Sequence, residues 1–211
     1  MNPAQLNEAI CGSLTKVMEY ADELRDLDQA LGDGDLGITV SVGAEAVIAA
    51  LGKLDDSAKP VDIARTCAKA FANANPSTLA ALVAGGLLAG SRVWEGKNDI
   101  TVEDAAAFAH AAADSIAMRG KAQPGDKTIL DAILPAADAL AAHPDDAHAA
   151  LVAAIAAADD AVVTTTDLQS RRGRASWLQE RSIGLPDPGE TAFLRFLQSW
   201  QAANDDEELA S

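Results

Sequence analysis

An all-α fold, a bundle or barrel of about eight antiparallel helices, is predicted by three features of the sequence. Apolar residues recur at three- and four-residue steps in eight segments, most connections between them are short, and no segment alternates like a strand bounded by hairpin turns. Composition agrees: hydrophobic residues make up 49% of the 211-residue chain and aromatics only 4%, so the apolar content is mostly Ala and Leu. These residues lose little side-chain freedom in a helix, and a core made of them requires close helix packing through small side chains. No composition break divides the chain, and residues 1–211 read as one domain.

The first helix starts at Asn2-Pro3, a cap followed by a first-turn proline, and runs to about Leu27 with Leu6, Ile10, Leu14, Val17, Ala21 and Leu24 on its apolar stripe. LDQALGDGDLG interrupts it with glycines and aspartates, and ITVSVGAEAVIAALGKL resumes as the second helix. PVDIARTCAKAFANA is the third, and STLAALVAGGLLAGSRVW, apolar nearly all round, is a central fourth. TVEDAAAFAHAAADSIAMRG is the fifth, with Thr101 and Asp104 as a cap pair. The sixth, DKTILDAILPAADALAAH, starts at Asp126 and should kink at Pro135. DAHAALVAAIAAADDAVVTTT is the seventh. A long stretch rich in Gly, Pro, Arg and Ser follows, QSRRGRASWLQERSIGLPDPG, and a loop of that length is commonly functional. The last helix opens at Asp187-Pro188-Gly189-Glu190 and carries Phe193, Leu194, Phe196, Leu197 and Trp200, with a frayed, solvated tail expected over 206–211.

Sixteen Lys plus Arg against 32 Asp plus Glu give a formal charge of -16, a field that repels polyanions and argues against nucleic-acid binding. A phosphate site in such a chain must bring its own positive charge, from a divalent cation or from local arginines. Cys11 and Cys67 stand alone, with no paired spacing, which suits a reducing compartment. With no signal-peptide pattern at the N-terminus and no run of about 18 apolar residues free of polar breaks, no membrane association is expected and the chain reads as cytoplasmic.

Three stretches carry candidate chemistry. Asp28, Asp33 and Asp35, interleaved with Gly32, Gly34 and Gly37, crowd carboxylates on a tight turn; hard oxygen ligands in that setting suit Mg²⁺, and a solvated acidic turn is the alternative. Gly120 to Thr128, GKAQPGDKT, looks like a phosphate-binding loop with one residue inserted before Lys-Thr and no preceding strand, so a loop capped by Asp126 is the plainer reading. Arg171, Arg172, Arg174 and Arg181 form a basic cluster in an acidic chain, either surface charges paired with the acid excess or anion-binding groups. His110, His143 and His148 belong to no triad or metal pair, which leaves zinc-enzyme and hydrolase chemistry without support.

Together, LDQALGDGDLG, GKAQPGDKTILDAILPA and GRASWLQERSIGLPDPG resemble the nucleotide-binding L subunit of dihydroxyacetone kinase, in order and at similar separations, over nearly the whole chain. The resemblance implies a barrel of eight antiparallel amphipathic helices that binds two Mg²⁺ ions and ADP or ATP at one end. Asp28, Asp33 and Asp35 would hold the metals and act with Arg174 in catalysis. Leu36, Gly37, Ile38 and Thr39 match the family's nucleotide-contacting stretch, Gly120 and Ile129 positions near the base, Arg174 a nucleotide-contacting arginine, and Asp187, Pro188 and Gly189 the closing loop. Ser77 and Thr78 keep the hydroxyls of the family's Gly-Gly-Ser-Ser-Gly turn, but Asn75-Pro76 replaces its glycines and removes an amide donor.

The resemblance also implies a phosphotransfer subunit of a glycerone-type kinase of glycerol metabolism. It would be active only beside a K subunit that holds the ketose, with a phosphocarrier protein as a possible donor. The rivals are an ATP-dependent kinase subunit for another small ketose such as a tetrulose, and a nucleotide-binding regulatory module without transfer activity.

Overall fold

Six helix starts in the computed structural model, which describes residues 1–208, are capped by a polar side chain that accepts an otherwise unpaired first-turn amide. Asn2 accepts from Gln5 N at 3.0 Å, Thr101 from Asp104 N at 3.2 Å, Asp146 from Ala149 N at 2.9 Å and Asp187 from Glu190 N at 2.9 Å. Ser77 accepts from Ala80 N and Thr128 from Leu130 N, both at 3.3 Å. The resulting helices are α1 (Pro3–Val17), α2 (Ala21–Leu31), α3 (Leu36–Leu51), α4 (Pro60–Ala74), α5 (Thr78–Val93), α6 (Val102–Gly120), α7 (Ile129–Ala142), α8 (Ala147–Thr165) and α9 (Pro188–Glu208). Among the described residues there is no strand, so the predicted all-α class holds.

Each helix from α3 to α9 packs on the next, and α1 packs on both α9 and α3, so the ring closes. Short connections between packed neighbours impose alternating directions. The α2–α3, α4–α5, α6–α7 and α8–α9 junctions therefore meet at one end of the ring.

Alanine makes the close packing possible. Ala150, Ala154 and Ala158 on α8 are fully buried, and Ala154 and Ala158 pack with Ala132 and Ala136 of α7 and Leu194 and Leu197 of α9. A second cluster joins Leu6, Val47, Leu51, Ile63, Cys67 and Trp94 across α1, α3, α4 and the end of α5. α8 has the length and mean hydropathy, 1.5, of a membrane span, the one such helix among the described residues.

Two sequence expectations are corrected. The first helix is two: a 3-10 turn, Met18–Tyr20, separates α1 from α2, which runs on to Leu31. There Arg195 of α9 donates to both carboxylate oxygens of Glu23, at 2.8 and 2.5 Å, and lies 5.1 Å from the Tyr20 ring centre. The sixth helix starts at Ile129 with Thr128 as cap, because Asp126 is engaged elsewhere. Pro135 lies inside α7, the helix in which the sequence places it. The tail expected over 206–211 lies in part beyond the described residues.

Candidate functional site

The α2–α3 junction carries the aspartates. Oxygens of Asp28, Asp33 and Asp35 all lie within 4.8 Å of one another. Asp28 is fixed by its own loop: Leu36 N donates to its Oδ2 at 3.1 Å, and Gly32 N to its main-chain carbonyl at 2.5 Å. A side chain at Gly32 would place its Cβ 2.5 Å from Asp28 Oδ1, so the carboxylate keeps its position only because residue 32 is glycine. Burial raises the Asp35 carboxyl above its ordinary value, the charges of Asp33 and Asp28 add to the rise, and Arg174 opposes it. Three hard oxygen donors crowded together, with one arginine in contact, leave negative charge that a small divalent cation fits.

Arg174 pairs with Asp33 and comes from the segment between α8 and α9, residues 166–187. This arm contains 3-10 turns from Arg174 to Ser182, broken at Gln179, whose φ is +53°. Its base is tied to the α6–α7 loop. Arg172 Nε donates to Asp126 Oδ2 at 2.8 Å, and Arg171 N donates to the Asp126 carbonyl at 3.0 Å. Burial pushes the Asp126 carboxyl up, yet the hydrogen bonds from Arg172 and Gln123 prevail and hold it below the ordinary range. The basic cluster thus divides: Arg172 braces the arm, and Arg174 reaches the aspartates.

The α4–α5 turn faces α3. Asn75 Nδ2 donates to the buried Thr39 hydroxyl at 3.1 Å, tying the turn that departs from the family pattern to the start of α3. The Ser77 hydroxyl caps α5, and Thr78, the first residue of that helix, is exposed. A Cβ added at Gly120 would fall within ordinary contact distance of Leu82 on α5, and one at Gly189 would meet Asp187 Oδ1 and Ile129. Leu36, Gly37 and Thr39 are buried and Ile38 is 58% exposed, so Ile38 presents the apolar surface of this stretch. Gly37 has a second constraint, because a Cβ there would fall 2.1 Å from the Ala21 carbonyl.

Two buried residues escaped sequence reasoning. Lys127, 1% exposed, donates from Nζ to the Thr166, Leu168 and Ser182 carbonyls at 3.0, 2.9 and 2.8 Å. The resemblance of 120–128 to a phosphate-binding loop fails there, since a helix rather than a strand precedes it and its lysine is spent on main chain. Burial lowers Lys127, while Asp187, Glu190 and Asp167 act to raise it. Glu190 is fully buried, accepts from Thr165 Oγ1 at 2.6 Å through Oε2, and leaves Oε1 without a partner. Burial and the neighbouring Asp187 push it up to about 9; burial raises Asp187 to about 6. The only signal for Glu190 was an acid in a first helical turn, which α2, α4, α6 and α7 have as well.

Residues 30–202 match the family model described as the DAK2 domain. The chain is 35% identical over 179 residues to the L-erythrulose 1-kinase of Mycolicibacterium smegmatis, covering 84% of this chain and 31% of that protein. It is 33% identical over 174 residues to the ADP-binding subunit DhaL of a PEP-dependent dihydroxyacetone kinase of Listeria innocua, covering 82% of this chain and 83% of that one. The fold is similar to that of the C. freundii dihydroxyacetone kinase crystallised with AMP-PNP and Mg²⁺, with a TM-score of 0.73 at 20% identity. That match covers 97% of this chain and 34% of the kinase, so the chain spans about a third of the longer relatives.

Proposed function

Because the chain belongs to the DAK2 domain family, we propose that it is the nucleotide- and Mg²⁺-binding phosphotransfer subunit of a dihydroxyacetone-type ketose kinase. The observation that carries this reading is the cluster of Asp28, Asp33 and Asp35, with Arg174 brought to Asp33 by the arm between α8 and α9. The relatives' names support it: one is an ADP-binding kinase subunit, and another phosphorylates a small ketose.

In this reading Asp28, Asp33 and Asp35 hold two Mg²⁺ ions, which when bound neutralise phosphate charge during transfer. Arg174 supplies a fixed positive charge beside them. The N-terminus of α5, with Ser77 and Thr78, offers main-chain amides toward phosphate even though Pro76 contributes none. Leu36 to Thr39 line the nucleotide, Gly120 and Ile129 stand near its base, and Asp187, Pro188 and Gly189 close over it. Phosphoryl transfer by positioning and charge neutralisation asks for no further reactive group on this chain. The ketose is held by a separate K subunit, and a phosphocarrier protein can recharge bound ADP.

A second reading, an ATP-dependent kinase part acting on a tetrulose, is favoured by the erythrulose kinase similarity. Native mass spectrometry of freshly purified protein separates the two. ADP retained through desalting supports the coenzyme mode, and nucleotide-free protein supports exchange with ATP. Calorimetric titration tests the site itself: ADP is expected to bind with Mg²⁺ and not with EDTA, and Asp33→Asn with Asp35→Asn to abolish the heat. Binding indifferent to both the metal and the substitutions would sink the metal assignment.

A further inference from the structure

We propose that Lys127 is a positioning residue for phosphoryl transfer, its buried ammonium clasping both ends of the 166–187 arm so that Arg174 stands over the aspartates. An ammonium carries three N–H donors and no acceptor. All three are used here, on carbonyls from where the arm leaves α8, Thr166 and Leu168, and from where it returns, Ser182. The two ends also meet each other: Gly184 N donates to the Thr166 carbonyl at 2.8 Å, and Ser170 N to Ser182 Oγ at 2.9 Å.

Irregular main chain buried away from water must find donors and acceptors, and these carbonyls have no helix or sheet to supply them. An apolar side chain at 127 would take its donor from the Leu168 and Ser182 carbonyls and leave the Thr166 carbonyl with Gly184 N alone. An exposed lysine would satisfy water rather than the arm. Residue 127 is also held at φ +61°, a region that a non-glycine residue enters only where surrounding contacts dictate it. Its neighbour Asp126 binds the same arm through Arg171 and Arg172. Residues 126 and 127 therefore form a two-point mount, and Arg174 extends from that mount to Asp33.

The proposal rests on the nucleotide reading of Arg174 and the aspartates, and its test separates the two. Amide hydrogen exchange is compared for the wild-type chain, Lys127→Met and Lys127→Gln, alongside calorimetric titration with Mg·ADP. In Lys127→Met the amides of 167–183 are expected to exchange at least tenfold faster while those of α3 to α6 keep their protection, and Mg·ADP affinity is expected to fall tenfold or more. Lys127→Gln, which keeps two N–H donors, should lie between. Unchanged arm protection in both variants overturns the proposal. So does a uniform loss of protection through α3 to α6 in both, which would make Lys127 a core residue only. If the wild-type chain binds no Mg·ADP, the functional reading fails, and the hold of Lys127 on the arm is still decided by the exchange pattern.

Discussion

Glu190 shows how much a single buried group can govern. In the unfolded chain its carboxyl titrates near 4.5 and in the folded chain near 9, so between those values the folded state holds a proton that the unfolded state has released. The stability linked to that proton is full below about pH 4.5 and is lost as pH rises toward 9. Asp187 shifts in the same direction, from its ordinary 3.8 to about 6, while Lys127 and Thr165 favour the charged form of Glu190 and Asp131 disfavours it. The urea midpoint of the wild-type chain should therefore fall from pH 5 to pH 9. Glu190→Gln should flatten that fall and match wild type at pH 5, with a gain on the order of 1–3 kcal/mol at pH 9. A parallel decline in both proteins would show that Glu190 is not the group responsible. At Gly37 the constraint is steric: Gly37→Ala sets a methyl 2.1 Å from the Ala21 carbonyl, and main chain must move to admit it. A loss of about 1–3 kcal/mol in urea unfolding is expected, from overpacking alone.

Among the elements, α2 is the one that sequence periodicity misplaced. Leu14, Val17, Ala21 and Leu24 keep helical spacing straight through Met18–Tyr20, so nothing in the apolar pattern marks the break. What fixes it is tertiary: Arg195, 172 residues from Glu23 in sequence, grips Glu23 and stacks on Tyr20. Arg195→Met should lower stability by about 1 kcal/mol, since the pair is partly exposed and screened by water, and should raise amide exchange in α2 more than in α1. Equal exchange in the two helices would place the anchor elsewhere. The start of α7 shows the same limit. Thr128 and Asp131 form the capping box, whereas the sequence reading put the start at Asp126, whose carboxylate is taken by Arg172, 46 residues on. Local signals set the other helix starts, at Asn2, Thr101 and Asp187, because there the cap and its amide are three residues apart. The clustering of the aspartates was legible for the same reason, its three carboxylates lying within residues 28–35. Lys127 was not, because its partners are 39 to 55 residues away and are main-chain carbonyls, which no side-chain pattern announces.

At the scale of the whole molecule, charge and site oppose each other. A net charge of -16 on 211 residues destabilises the compact state by self-repulsion, and the aspartate cluster concentrates part of that repulsion at one end of the ring. Simple salt relieves the general repulsion by screening, which acts over about 10 Å at 0.1 M. A bound divalent cation relieves the local one by direct contact and stabilises by mass action, about 2.7 kcal/mol at a hundred times its dissociation constant. The two effects differ in what they require. NaCl should raise the melting temperature of the wild-type chain and of a variant carrying Asp33→Asn and Asp35→Asn by similar amounts. MgCl₂ at matched ionic strength should give the wild-type chain a further increase that saturates with concentration, and should give the variant none. Calorimetric melting across both salt series measures this, and a Mg²⁺ increment that survives in the variant would move the cation away from the α2–α3 junction.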